Sequence, residues 1–166
     1  MNPNKAVDPG LVYDSDVNDY MDYLCALNYT KKEIRMVTRR EYSCSGHAAV
    51  GDLNYLSFLA NFTSSAAKVE TFKRILSNVA DDNTIPYLYR AVVKAPRGVS
   101  VQVQPDSLLF KERNEKLEFS LSLEVVDGTG QSDDDPVGGE CVVYGYLSWV
   151  DGRGHVVTSP LVALFY

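Results

Sequence analysis

Two histidines, three cysteines and several clusters of acidic residues are the parts of this 166-residue chain whose types could do chemistry. Ser45-Gly46-His47 sets a hydroxyl two residues from an imidazole, the raw material of a nucleophile and its base. No G-x-S-x-G elbow accompanies it, and a polar loop beside Cys44 accounts for the triplet. His155 follows Asp151-Gly152-Arg153-Gly154 at the start of a strand. Both His47 and His155 therefore read as structural histidines rather than catalytic bases. Asp127-Gly128-Thr129-Gly130 carries the residue types for carboxylate catalysis, but the required order is D-[ST]-G and the chain is too short for a bilobal enzyme. P-loop, G-x-G-x-x-G and H-E-x-x-H signatures are missing. No catalytic residue and no cofactor-binding residue is assigned.

Metal chemistry fares no better. Asp14 to Asp19 has the acidic density of a calcium loop, but that loop needs glycine at its sixth position and glutamate at its twelfth, and those are Asp19 and Cys25. Helix capping explains the acids instead. The three consecutive aspartates within Asp127–Glu140 sit in a Gly- and Asp-rich run that reads as a soluble loop. Cys25, Cys44 and Cys141 lack zinc-site spacing, and two histidines are too few to complete such a site. No metal is expected.

Net charge is −6 and the pI is about 4.9, so phosphate-rich partners are repelled. Nucleic acid and anionic membranes are thus poor partners. No apolar run reaches the roughly 18 residues of a membrane span. The start, MNPNKAVDPG, lacks the apolar core of a signal peptide, which taken alone points to the cytosol. Against that stand two glycosylation sequons, Asn28-Tyr29-Thr30 and Asn61-Phe62-Thr63, together with cysteines that could form a disulfide. A chain that is the later part of a longer secreted protein reconciles the two signals.

Two textures divide the chain, with a helical segment over residues 1–45 and an all-β region over 52–166. Val17, Tyr20, Met21, Leu24 and Asn28 follow helical spacing, and Asp14, Ser15 and Asp16 precede them as caps. Thr30-Lys31-Lys32-Glu33 is a capping box that opens a second helix to about Arg39, with Ile34 and Val37 as its buried pair. Arg35, Arg39 and Arg40 form a solvated face. From Leu53 onward the period becomes two. Leu117, Phe119, Leu121, Leu123 and Val125 oppose Glu118, Ser120, Ser122 and Glu124. Val99, Val101 and Val103, then Tyr87, Tyr89, Ala91 and Val93, repeat the pattern, and Val143, Leu147 and Trp149 do so around Gly145. Turn signals at Asp81-Asp82-Asn83, Ala95-Pro96-Arg97-Gly98, Gln104-Pro105-Asp106 and Asp151-Gly152 separate the runs. About seven or eight strands in that length predict a mainly β protein, an antiparallel sandwich of the fibronectin III or immunoglobulin type. No cysteines pair across its strands, which favours the fibronectin III type.

An ordered series of residues then resembles a known family. Asp8-Pro9-Gly10-Leu11-Val12-Tyr13-Asp14, Leu24-Cys25, Leu27-Asn28-Tyr29, Cys44, Asp52-Leu53-Asn54-Tyr55 and Ser57-Phe58 come first. Arg74 with Asn78-Val79 follows, then Tyr89, Pro96, Gly98-Val99, Val103 and Pro105. Gly145, Leu147, Trp149, Asp151-Gly152, His155-Val156-Val157 and Ser159-Pro160 close the series. This order is similar to the C-terminal third of plant subtilisin-like serine proteases, the cucumisin-like subtilases, over essentially the whole chain.

The resemblance implies an end-of-catalytic-domain segment over 1–45, followed by the family's fibronectin III-like domain over 52–166. The family's catalytic Asp, His and Ser lie upstream, so the segment is not an enzyme on its own. The catalytic domain of the parent protease becomes its intramolecular partner, and homodimerisation is the other partnership open to it. Such proteases are secreted glycoproteins. The resemblance thus implies a Cys25–Cys44 disulfide, glycans at Asn28 and Asn61, and an extracellular, apoplastic location; the chain would be cytoplasmic if Met1 were its true start. Closing that loop would stabilise by roughly 3 kcal/mol in the chain-entropy account. Two positions depart from the family, Leu56 in place of proline and Ala80 in place of glycine. A left-handed turn at Ala80 would be strained. The competing reading is a stand-alone fibronectin III-like module that binds a protein or glycan through its loops.

Overall fold

A computed structural model of the protein describes residues 7–44, 49–63, 69–80, 86–126 and 141–166. The Ser45-Gly46-His47 triplet, the Asp81-Asp82-Asn83 turn and the Asp127–Glu140 run lie outside them.

Nine strands form two packed sheets among the described residues. Sheet A has the order β1-β3-β7-β5, with β1 at Leu11–Tyr13, β3 at Val69–Asn78, β7 at Lys116–Val125 and β5 at Val99–Gln104. Sheet B has the order β2-β9-β8-β4-β6, with β2 at Phe58–Phe62, β9 at Val156–Phe165, β8 at Cys141–Asp151, β4 at Tyr87–Lys94 and β6 at Ser107–Phe110. Every neighbouring pair is antiparallel except β2 with β9, which runs parallel from Phe58↔Leu161 to Phe62↔Phe165. Parallel pairing is available because nearly the whole sandwich separates β2 from β9 in sequence.

The alternation of the strands drives the packing. Phe119, Leu121 and Leu123 of β7 are buried, and their even-numbered neighbours point outward. They meet Leu147, Trp149, Phe58 and Leu161 from sheet B. Phe119 lies edge-on to Trp149 with ring centroids 5.1 Å apart, and Phe58 lies edge-on to Phe72 at 5.7 Å. Such edge-to-face pairs add attraction beyond their buried area. Gly145 sits where β8 crosses under the β4–β5 corner. A Cβ there would collide with the Lys94 carbonyl and lie 2.7 Å from the Pro96 ring, so only glycine fits.

The leading segment is helical, but not wholly. Leu11–Tyr13 adds a strand to sheet A through Leu11↔Asn78 and Tyr13↔Leu76. Three residues are too few to show a period, and the partner strand supplies the register. Helix α1 spans Val17–Ala26, capped by Asp16, whose carboxylate accepts from the Asn18 and Asp19 amides. Helix α2 spans Lys31–Thr38 and opens on the reciprocal Thr30/Glu33 box. A single 3-10 turn, Val50–Asp52, leads into the sandwich. The disulfide Cys25–Cys44 ties the end of α1 to the chain beyond α2, with Cα atoms 5.6 Å apart. Cys141 is a free thiol at the start of β8.

Val37 corrects the expected buried pair. Ile34 is fully buried, whereas Val37 is 69% exposed and its neighbour Met36 65%. An eight-residue helix offers this body one contact line, and Ile34 occupies it. Arg35, Arg39 and Arg40 are solvent-facing, with Arg35 paired to Glu41 at 2.9 Å. Ala80 is buried without strain, because its φ is not positive and its amide reaches Asn78 Oδ1 at 3.3 Å. No helix among the described residues is long and apolar enough to cross a membrane.

Candidate functional site

The polar residues that the structure brings together lie along the seam between the leading segment and the sandwich, at three places.

The first is a histidine held between two carboxylates. The β8–β9 hairpin turns at Asp151-Gly152-Arg153-Gly154. Asp151 Oδ1 accepts the amides of Arg153 at 2.9 Å and His155 at 2.8 Å, which fixes the carboxylate under the turn. The other oxygen, Oδ2, meets His155 Nδ1 at 2.6 Å, and His155 Nε2 meets Asp8 Oδ2 at 2.9 Å. A charged ring donates from both nitrogens and satisfies both carboxylates at once. Such a ring has no lone pair left to accept a proton. The geometry therefore has the Asp–His half of a hydrolase triad, with a second carboxylate where the nucleophile would stand. Gly10, at φ +77°, lets the chain pass close beneath this cluster. A Cβ there would lie 2.7 Å from the Tyr89 hydroxyl and 2.8 Å from the His155 ring.

Burial opposes charge on His155, but hydrogen bonds and charge from Asp8 and Asp151 outweigh it and hold the pKa above the ordinary imidazole value. Burial likewise pushes Asp151 up. The His155 contact and the two amides overcome it, leaving the carboxyl below its usual range. A raised histidine pKa contributes stability that is complete below the unfolded value and fades as pH rises through the folded one. A lowered carboxyl pKa contributes stability present above the unfolded value and lost as pH falls through the folded one. The seam is accordingly strongest between about pH 4 and about pH 6.5. A thermal melt should show its highest midpoint in that window, and His155→Gln should remove the decline on the alkaline side. An unchanged alkaline limb in that variant would show the cluster is not the source.

The second place is Arg74. It is 4% exposed on β3 and spends its guanidinium on backbone carbonyls: Nε to Tyr55 at 2.9 Å, Nη1 to Gly51 at 2.6 Å and Lys73 at 2.7 Å, and Nη2 to Ser57 at 3.4 Å. Its charged carbon stands 4.7 Å from the Phe58 ring centre and 5.7 Å from that of Phe72. One cation thus holds residues 51–57, a stretch with few backbone partners of its own.

Asn54 and Tyr13 form the third place. Asn54 bonds both the amide and the carbonyl of Ile75, at 2.8 and 2.9 Å, and also reaches the Asp14 carbonyl at 3.2 Å. Ser15 closes the loop by donating to the Asn54 carbonyl at 2.5 Å. Tyr13 contacts Ser159 hydroxyl to hydroxyl at 2.6 Å across the two sheets. Lys116 pairs with Asp14 at 2.6 Å on the surface.

Asn28 and Asn61 are both exposed. Asn28 sits in a left-handed turn at φ 63° just after α1, and Asn61 lies on β2 with its amide bonded to Glu70 at 2.9 Å. The hydroxyl of Thr30, in the first sequon, belongs to the α2 cap. Sequence reading placed His155 as structural but missed Asp8 and Asp151 as its partners. The D-G-x-G-H spacing was the available signal for Asp151, and nothing local pointed to Asp8. Among the described residues no group of three or more His, Cys, Asp or Glu side chains is placed to hold a metal ion.

A two-sheet sandwich with a leading segment fastened to it by polar residues defines a domain of the fibronectin III class. The family model "Fibronectin type-III domain" matches residues 52–163, and the chain belongs to that family. The whole chain is similar to subtilisin-like proteases of plants. It is 37% identical over 171 residues to "Subtilisin-like protease SBT3" of Solanum lycopersicum, covering 98% of this chain and 20% of that protein. With "Subtilisin-like protease SBT1.5" of Arabidopsis thaliana it shares 38% identity over 167 residues, again 98% of this chain and 20% of the relative. It thus spans about a fifth of the length of the curated relatives it matches, and it resembles their C-terminal segment.

Proposed function

We propose that this chain is the non-catalytic accessory segment of a secreted subtilisin-like serine endopeptidase, and that it packs against the protease's catalytic domain and stabilises it. In this reading residues 1–45 are the end of the catalytic domain and 52–166 the accessory sandwich. The observation that carries it is the leading segment itself. Its helices are well capped and disulfide-tied, yet Val17, Tyr20, Met36 and Val37 face solvent. Helices built this carefully and left with bare apolar side chains fit a body that this chain does not contain. The seam supports the same reading, since Arg74, Asn54 and the Asp8–His155–Asp151 bridge would set such a body at a fixed angle to the sandwich. The sequons and disulfide accord with secretion.

A chimera tests this. With this segment in place of the matching fifth of the tomato relative, the protease should be secreted folded and active, and its yield should collapse when the segment is deleted. A serine-reactive probe should label the chimera outside this segment and leave the isolated chain unlabelled. Labelling within the isolated chain, or full yield without the segment, would overturn the reading.

A further inference from the structure

Among the described strands, four lie at sheet edges: β1 and β5 in sheet A, β2 and β6 in sheet B. A sheet edge offers unpaired N–H and C=O groups to any strand that arrives, and three of these edges are blunted. β1 has three residues. β6 has four, with Pro105 shortly before it and Lys111 directly after it. On β2 the Glu70 carboxylate accepts the Asn61 amide at 2.9 Å. β5 has none of these devices. Val99–Gln104, VSVQVQ, is six residues long, carries neither charge nor proline, and pairs with β7 in unbroken register. At the end of that ladder the Val126 amide donates to the Gly98 carbonyl at 3.0 Å. Hydrogen-bonded pairs alternate along an antiparallel ladder, so Ser100, Gln102 and Gln104 turn their backbone groups to β7. Val101 and Val103 turn theirs to the open side, where no described strand pairs with them.

We propose that the β5 edge joins a second copy of this chain, antiparallel about a twofold axis at Gln102, so that the two copies of sheet A become one continuous sheet. Three observations choose a second copy as the occupant. First, the edge is complementary to itself. Val101 meets Val103 of the second copy and Val103 meets its Val101, each pair exchanging N–H and C=O in both directions. On the outer face Gln102 then lies against Gln102, and Ser100 against Gln104. These rows run on to Ser122, and to Glu124 and Ser120, of the two β7 strands, so no like charges stand opposite each other at the junction. Second, the charges just outside the strand are opposite. The axis sets the corner before one β5, which carries Arg97, beside the turn after the other, which carries Asp106. Third, Val101 and Val103 pack against the core yet stay partly exposed at this edge, and the second copy covers them. A six-residue edge is small for a protein interface, so the association is weak and its extent follows concentration. The pairing leaves the outer sheet faces and the helical segment untouched, and it stands independently of the function proposed above.

Sedimentation velocity and amide hydrogen exchange on the 166-residue chain, run over a concentration series, test this. Sedimentation should move from monomer towards dimer as concentration rises. Over the same series exchange at the Val101 and Val103 amides should slow several-fold, whereas the Ser100 and Gln102 amides, already in the β7 ladder, should change less. Gln102→Glu sets two carboxylates face to face on the axis and should abolish the dimer at neutral pH. Gln102 is exposed, so the melting temperature of the dilute variant should match that of the dilute parent. Gln102→Lys should abolish the dimer in the same way, and mixing the two variants should restore association. Val103→Pro removes an outward N–H and no ladder bond, and should also leave a monomer. A chain that stays monomeric throughout, a dimer that survives Gln102→Glu, or a Glu and Lys mixture that fails to associate would each overturn the proposal.

Discussion

Arg74→Met should lower the stability of this protein by about 2–4 kcal/mol in urea titration, because several part-buried carbonyls lose a donor that is itself buried. Methionine keeps much of the arginine's bulk and its contact with aromatic rings, so the packing over Phe58 and Phe72 is largely conserved. What disappears is the set of bonds to Gly51, Tyr55 and Ser57. The loss should be local as well as global. Residues 51–57 hold one short turn and no strand until Phe58, so they should become the first protease-sensitive stretch of the variant. A variant that loses stability with no new cleavage there would show that the guanidinium supports the core rather than the connection. Arg74→Lys should recover little, since one ammonium cannot span carbonyls that the planar fork reaches from two sides.

Trp149→Ala should cost a similar amount, about 3–5 kcal/mol, for a different reason. Trp149 is fully buried on β8 and meets the edge of Phe119 at 5.1 Å, so truncation opens a cavity between the sheets. At this chain length the midpoint of thermal unfolding should fall by about 10 °C. Trp149→Phe separates packing from polarity. Among the described residues the indole Nε1 has no hydrogen-bond partner, so the phenyl ring forfeits volume and no bond there, and most of the stability should return. If Trp149→Phe proved as damaging as Trp149→Ala, an unseen partner for the indole N–H would be the better account.

These two residues mark how far the sequence could be read. Trp149 stood out because β8 alternates around it, and β7 displays the same period from Leu117 to Val125. A two-residue period is a local property that the pleat enforces, and so are the Asp16 and Thr30 caps, whose partners lie within three residues. Arg74 belongs to a recognisable motif, but its job depends on carbonyls roughly twenty residues upstream that have no pattern of their own. Tyr13 with Ser159, and Asp8 with His155, lie 146 and 147 positions apart, a separation at which no spacing carries information. Val37 failed for a third reason. Helical periodicity names the face that is apolar, and whether anything covers it depends on what else is present.

The place of β9 bears on how the protein is made. It is the last of the described strands to leave the ribosome, yet it sits inside sheet B between β2 and β8. Until Val156–Phe165 emerges, β2 has no ladder partner among the described strands of its sheet. A nascent chain can build sheet A from β1, β3, β5 and β7, but it cannot finish the sandwich before synthesis passes β9. Parallel closure over such a long interval is also slow. A message truncated before the codon for Val156 would therefore leave β8, β4 and β6 paired but β2 without its neighbour, and the open strand edges would be prone to association.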